Sequence, residues 1–453
     1  MFTTKKRTFN QHDNEKESFY KFSAPNFSNQ SKLNENISTD VCIIGGGLTG
    51  ISSALNLSNQ GLSITILEAN KVGSGASGRN GGQLGIGMRK DQFYLEKKFG
   101  IEKAKFFWKV GLDAVSNVVN LIEKYKIDCA LKQGVLHVGN TKKDYKYFQD
   151  EIEHMQKNYN YNNYEYFDHN SIRDEVNSDR YFSGMLLKDS YHLNPLKLTY
   201  GLAEQCLANG INIYENSPAD KIVDNQKEVI IHSGKNIIKA KKVIIGCNGY
   251  LDNLLGSKRN YFMPINNYII ATEPLGKDLA SKLIKRNCAV IDSRFMIDYY
   301  RFSEDYRLLF GGPETITSHF VKDAKSFVSK RMYKVFPELK KFKIEFSWGG
   351  TLAISINRLP IFGTIMNQKL YYAHAYSGHG LAMSIMGGKM VAEKILNKSN
   401  NFDMFEQINH FKIPGGNMFR RPLYSSAIIY YRLMDYLNSC LLYTSDAADE
   451  AKC

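Results

Sequence analysis

Residues 40–50 read Asp-Val-Cys-Ile-Ile-Gly-Gly-Gly-Leu-Thr-Gly, and residues 61–68 read Gly-Leu-Ser-Ile-Thr-Ile-Leu-Glu. An apolar strand runs into a glycine turn, and the turn opens an apolar-periodic helix. A second apolar strand follows and ends in a carboxylate. These are the parts of a dinucleotide-binding βαβ unit. Gly45 permits the tight turn, Gly47 lets the backbone approach a pyrophosphate, and Gly50 lets the helix pack close on the strand. Leu48 and Thr49 open the helix, whose free N–H groups and dipole favour phosphate. Glu68, followed by Ala69, stands about 20 residues on, where a carboxylate accepts hydrogen bonds from a ribose diol. The alternative is an αβ loop with incidental glycines.

The chain continues Lys71-Val72-Gly73-Ser74-Gly75-Ala76-Ser77-Gly78-Arg79-Asn80-Gly81-Gly82-Gln83. An NAD-binding fold would enter another regular βα unit here. A run of glycines and small polar residues can instead lie flat along a long ligand and offer backbone N–H groups. Arg79 would be a fixed charge for phosphate or ring oxygens. A flexible glycine loop is the other reading. Residues 240–250 form a further apolar strand ending in Gly246-Cys247-Asn248-Gly249. Residues 370–375 form another, after which Tyr376-Ser377-Gly378-His379-Gly380-Leu381-Ala382 opens a helix carrying Met383, Met386 and Met390. Here too a strand, a glycine-flanked turn and a helix aim N–H groups at a ligand. His379 is read either as part of a site or as a helix-capping or core histidine.

These segments together resemble the D-amino-acid oxidase superfamily. The fold class implied is α/β: a glutathione-reductase-like, FAD-binding Rossmann domain with an interleaved antiparallel-sheet substrate domain. The cofactor implied is FAD. Its contacts would be Gly45, Gly47, Leu48, Thr49, Gly50, Glu68, Ala69, Ser77, Gly78, Arg79, Asn80, Gly81, Gly82, Gln83, Gly249, Gly378, His379, Gly380 and Leu381. In the superfamily the second helix N-terminus faces the flavin's pyrimidine oxygen, where it stabilises the negative charge that grows as a hydride arrives.

The glycine-rich segment, His192-Leu193-Asn194-Pro195-Leu196-Lys197-Leu198, Ile269-Ile270-Ala271-Thr272-Glu273-Pro274-Leu275, Tyr299-Tyr300-Arg301-Phe302, Leu308-Leu309-Phe310-Gly311-Gly312 and Arg421-Pro422-Leu423-Tyr424 look like the gamma-glutamylputrescine oxidase branch. That likeness implies oxidation of a small amine by hydride transfer to flavin N5. The imine would be hydrolysed to an aldehyde and O2 reduced to H2O2. Arg79, His379 and Tyr300 are the candidate catalytic residues. Tyr299, Tyr300 and Arg301 are the candidate substrate-binding residues, Arg301 holding a carboxylate. A surface-facing strand is the alternative for that run. Sarcosine-oxidase-like members carry a Lys shortly after Gly-His-Gly. Leu381-Ala382-Met383 stands there in this chain, which argues against a simple α-amino acid. No residue is identified for oxygen activation, so a dehydrogenase passing electrons to a quinone or carrier protein stays open. A non-enzymatic flavoprotein is a third reading.

A chain of 453 residues exceeds one typical domain. The expected division is a leader at 1–39, an FAD-binding domain from 40–90, 195–263 and 346–400, and a substrate domain from 91–194 and 264–345. A helical segment at 401–440 follows, its 425–442 helix lying on a membrane surface or packed on the fold. The small, acidic tail at 441–453 is expected to be disordered or a sequence-assembly scar. Helices are expected over 91–126, 144–159, 194–210 and 323–335, and a polar hairpin over 227–238. Strands are expected over 131–138, 211–215, 267–272, 295–302 and 307–310. The net charge is +14, but its lysines are spread along the chain with no nucleic-acid recognition motif. The partners expected are a small amine and O2. Apolar runs fall short of the roughly 18 residues that span a bilayer. Residues 1–10 lack the charged-then-apolar pattern of a secretory signal. The seven cysteines form no CxxC pair and no histidine cluster has ligand spacing, so no metal is expected. Reduced core thiols suit a cytoplasmic location.

Overall fold

A computed structural model describes residues 2–3, 18–317, 319–413, 422 and 426. The motif at 421–424 apart from Pro422, the helix at 425–442 apart from Ser426, and the tail at 441–453 lie outside the described residues.

The glycine turn sits in a sheet with a parallel centre. Ile37–Ile44 pairs in parallel with Ile64–Leu67 on one side and Asn236–Ile245 on the other. Asn212–Tyr214 extends the parallel set beyond Ile64–Leu67, and Leu370–His374 pairs in parallel with the end of Asn236–Ile245. Lys221–Asp224 and Val229–Ser233 add an antiparallel edge, on which Phe2–Thr3 also pairs. The central strands are buried and mostly apolar towards their C-terminal ends, Val41–Ile44, Ile64–Leu67 and Val243–Ile245, as expected where both faces are covered. Leu48–Leu57, Pro195–Ala208 and Gly380–Ile395 cover them. The first and third of these helices pack closely at Gly388, where a side chain would run into Thr49 O and Ser53 N. Ser52 Oγ donates to Ile385 O at 2.6 Å and Ser53 Oγ to Gly388 O at 3.2 Å.

The second sheet is mostly antiparallel. Its order is Ile344–Ser355, Phe262–Thr272, Leu308–Thr315, Tyr299–Phe302, Ala289–Asp292, Lys132–Gly139, Ser183–His192 and Gln83–Leu84, with Tyr164–Phe167 also on Ser183–His192. Its membership crosses the expected divisions at 90, 263 and 346. Gln83–Leu84, the start of Phe262–Thr272 and most of Ile344–Ser355 all belong to it. The chain changes sheet in the segments next to these strands, at 68–82, 246–261 and 356–360.

Local signals account for most element ends. Asn194 accepts from Leu196 N and Lys197 N, with Pro195 in the first turn. Thr141 and Asp144 form a capping box before Lys142–Tyr159. The helical stretch expected at 91–126 is two helices, Gln92–Phe99 and Ile101–Tyr125, parted at Gly100, which has φ +81°. The expected hairpin and the strand after it share one strand, Asn236–Ile245, since β-branched residues continue the ladder past 238. The strand expected at 295–302 is Tyr299–Phe302 only. The residues before it form a loop held by Arg294, whose Nε donates to Asp292 Oδ2 at 2.6 Å.

Candidate active site

A cavity of about 1050 Å³ is walled by both sheets and by the N-termini of Leu48–Leu57 and Gly380–Ile395. At one end the glycine turn does what its spacing predicts. Gly45 has φ +112°, which favours glycine, and its N–H donates to Leu67 O at 2.8 Å. A side chain on Gly50 would run into Gly45 O, and one on Gly47 would lie 2.7 Å from Ser77 Oγ. Ser77 Oγ accepts from Leu48 N at 2.9 Å, which fastens the second glycine segment to the first helix N-terminus. Glu68 accepts from Gly46 N and Asn70 N, both at 2.8 Å. Burial pushes its carboxyl above the ordinary range, and those backbone N–H groups pull against that.

The second glycine segment is stapled from within. Asn80 Nδ2 donates to Ala76 O and Ser77 O, and its Oδ1 accepts from Gly82 N at 2.8 Å. Arg79 Nε donates to Gly349 O, and Arg79 O accepts from Trp348 Nε1 at 3.0 Å. Gln83 Nε2 donates to Val290 O at 3.1 Å on the second sheet. The segment is therefore a rigid strap between the sheets.

Opposite it, Ala375, Ser377 and Gly378 all take positive φ, making the sharp turn into Gly380–Ile395. The turn is held by Ser377 N to Ala353 O at 3.1 Å and Ala375 N to Asn248 Oδ1 at 3.0 Å. Thr49 Oγ1 and Tyr376 OH, 2.9 Å apart, tie the two helix starts together. His379 lies just before the helix and lines the cavity, its Nε2 without a hydrogen-bond partner. Burial and the nearby Arg89 charge hold its pKa at about 4, so the ring is neutral at pH 7. His137, on Lys132–Gly139, is held at about 4 for the same two reasons.

Most of the expected cofactor contacts meet at this cavity: Gly45, Gly47, Leu48, Thr49, Glu68, Ala69, Ser77, Arg79, Asn80, Gly81, Gln83, Gly378, His379, Gly380 and Leu381 all line it. Gly50, Gly78, Gly82 and Gly249 are not among its lining residues. They sit where chain passes close to chain, Gly249 for instance against Leu352.

The Tyr299-Tyr300-Arg301 run divides by the two-residue period of a strand. Tyr299 faces the cavity, its ring against Gly81 and its hydroxyl donating to Asn267. Tyr300 points the other way, correcting its expected place in the site. Its ring stacks on Phe310 at 5.3 Å and its hydroxyl donates to Tyr181 at 2.9 Å in the core. Arg301 is also corrected. It is 3% exposed and is spent on Gly81 O, Leu193 O, Phe302 O and Tyr20 OH. Four of its five N–H donors are taken, and Arg301 is not among the residues that line the cavity.

The sequence reading missed Arg89, His137, Glu151, Glu314 and Trp108, all of which line the cavity. They come from five separate elements. The only local signal is the charged run Arg89-Lys90-Asp91 directly after the glycine-rich strap. Glu151 is raised to about 7 by burial and by the Asp91 charge. Among the described residues no group of His, Cys, Asp and Glu is placed to hold a metal, and no helix is long and apolar enough to cross a membrane.

A family model described as DAO, FAD dependent oxidoreductase, matches residues 40–394. Gamma-glutamylputrescine oxidoreductase of Escherichia coli (strain K12) is 35% identical over 421 residues, 93% of this chain and 98% of that protein. A probable oxidoreductase OrdL of Haemophilus influenzae is 34% identical over 400 residues, 87% of this chain and 92% of that protein. Among solved structures, glycine oxidase from Geobacillus kaustophilus matches with a TM-score of 0.72 at 17% identity, covering 83% of this chain and 99% of that one. L-proline dehydrogenase from P. horikoshii matches at 0.66 and 21% identity, covering 82% and 96%. These two likenesses concern the fold.

Proposed function

The chain belongs to the DAO family of FAD-dependent oxidoreductases, and from that premise we propose that it oxidises the primary amine of a gamma-glutamylputrescine-like diamine. The observation that carries this reading is the match, across 98% of its length, to a relative named for that substrate. The cavity is consistent with it. Beyond the glycine cradle its wall passes from Trp108, Val135, Met185 and Leu187 to Arg89, Glu151 and Glu314. Apolar side chains suit a methylene chain, and charged ones suit a polar tail.

The residues present fit FAD. The cradle at Gly47 is too close for a side chain, and Glu68 stands beside it as an acceptor. Gly45, Gly47, Leu48 and Glu68 would hold the pyrophosphate and ribose, and the strap at 77–83 the middle of the molecule. When bound, the flavin supplies a two-electron acceptor for the hydride of the amine's α carbon. The amine must reach it unprotonated. Arg79, itself held near that region by Gly349 O, disfavours an ammonium ion beside it. Neutral His379 adds no charge against this, and the N-terminus of Gly380–Ile395 favours negative charge at the ring. Loss of hydride from carbon and a proton from nitrogen leaves an imine. Water then hydrolyses the imine to an aldehyde and ammonia, and O2 takes the two electrons as H2O2.

Anaerobic flavin bleaching with gamma-glutamylputrescine, putrescine and sarcosine in parallel tests this, followed by admission of air. Bleaching by the glutamylated diamine with fast recovery of colour and peroxide supports the proposal. Bleaching without fast recovery makes the protein a dehydrogenase serving another acceptor. Preferential bleaching by sarcosine refutes the substrate assignment.

A further inference from the structure

Arg89 and Lys90 line the cavity just past the glycine-rich strap, and Arg358 stands near both. Arg89 is half-buried, and among the described residues its guanidinium has no ion pair or hydrogen bond. Arg358 has no ion pair either; its guanidinium rests on the Phe295 ring at 4.6 Å. Lys90 rests on the Tyr94 ring at 4.6 Å. Three cations thus stand near one another: the Arg358 charge acts against Arg89, and both act against Lys90. Burial and Arg358 hold Arg89 down at about 10, with the Glu314 carboxylate opposing. Asp91 faces Lys90 from the same segment.

Arg89 follows the strap in the chain. It acts electrostatically on His137, in the second sheet, and on His379, before the second helix, and Glu314 of the second sheet acts on it. Arg89 therefore stands by the second-sheet wall of the cavity, the end we assign to the substrate. A guanidinium presents parallel donors that match a carboxylate, and its charge is undiminished at neutral pH. An anion bound there would also relieve the repulsion among the three cations.

We propose that Arg89, backed by Arg358, binds a carboxylate at the far end of the substrate, so that this chain selects amines whose tail carries an acid. The proposal rests on the amine-oxidation reading and assigns the tail's anchor within it. It also replaces Arg301, which does not line the cavity and has four of its five donors in use.

The test compares two acylated putrescines of equal chain length, N-glutarylputrescine with a terminal carboxylate and N-pentanoylputrescine without one. The flavin-loaded protein is expected to favour the first by about 50-fold in kcat/KM, mostly through KM. In Arg89→Met that ratio collapses to about threefold or less, and Arg89→Lys lies between. A wild-type ratio near one overturns the proposal. So does a ratio retained in Arg89→Met with its flavin spectrum intact. If Arg89→Met does not hold flavin, Arg358→Met is read in the same way. Competitive inhibition of the wild type by glutarate but not by pentanamide supports the anchor, and equal inhibition by both overturns it. If neither acylated diamine is oxidised while another amine is, the functional reading fails, and the glutarate result still judges Arg89.

Discussion

At the scale of single residues, burial decides which groups carry information. Glu151 lines the cavity with its carboxyl raised to about 7, against an ordinary 4.5. The folded protein therefore holds its proton more tightly than the unfolded chain. The group costs nothing below pH 4.5, costs progressively more as pH rises, and imposes its full penalty above pH 7. Glu151→Gln is expected to stabilise the protein by about 1–3 kcal/mol at pH 8 and not at all at pH 4.5. Denaturant melts at the two values check this, and an equal gain at both refutes it. Glu68 is a different case, since its oxygens already bind Gly46 N and Asn70 N at the mouth of the cradle. Glu68→Ala is expected to weaken FAD binding by about 10–100-fold, the worth of one or two hydrogen bonds to a charged group. Titration of the apoprotein with FAD measures it, and unchanged affinity removes Glu68 from the cofactor site.

At the scale of elements, Arg301 is a fastening. Its guanidinium joins the helix Phe19–Ser23, through Tyr20, to the strap at Gly81 and to the segment at Leu193. Arg301→Met leaves those buried acceptors without a donor. A loss of about 2–4 kcal/mol is expected, with the preference between carboxylated and uncarboxylated tails unmoved. A collapse of that preference would return Arg301 to the substrate site. The strand Tyr299–Phe302 shows why the assignment needed coordinates. Three consecutive polar or aromatic residues look like one site in a sequence. Pleating sends Tyr299 to the cavity and Tyr300 to the core, and the local packing folds Arg301 onto backbone carbonyls.

At the scale of the whole molecule, the two sheets share walls around a volume of about 1050 Å³. FAD binds the folded protein and fills part of that volume, so cofactor and stability are linked. Raising free FAD to 100 times its dissociation constant is expected to add about 2.7 kcal/mol, or roughly 3 °C in Tm. Thermal melts with and without added FAD test this, and equal Tm values would mean that the cradle is not the cofactor site. The cradle and the strap were legible in the sequence because their demands are local. Gly45, Gly47, Gly50 and Glu68 answer to one turn and its two strands, and Ser77 to Gln83 to a single run of backbone. The second helix start at His379 was legible too, since strand, turn and helix are contiguous. The charged end of the cavity was not. Arg89, His137, Glu151 and Glu314 lie far apart in the chain, and the strand order of the second sheet, with the helix Lys142–Tyr159 packed on it, brings them to one wall. Sequence alone therefore determined the glycine turn and the strap, because a backbone turn is written in neighbouring residues. Tertiary structure alone decided which side chains face the cavity, because that depends on strand register and on donors claimed by buried carbonyls.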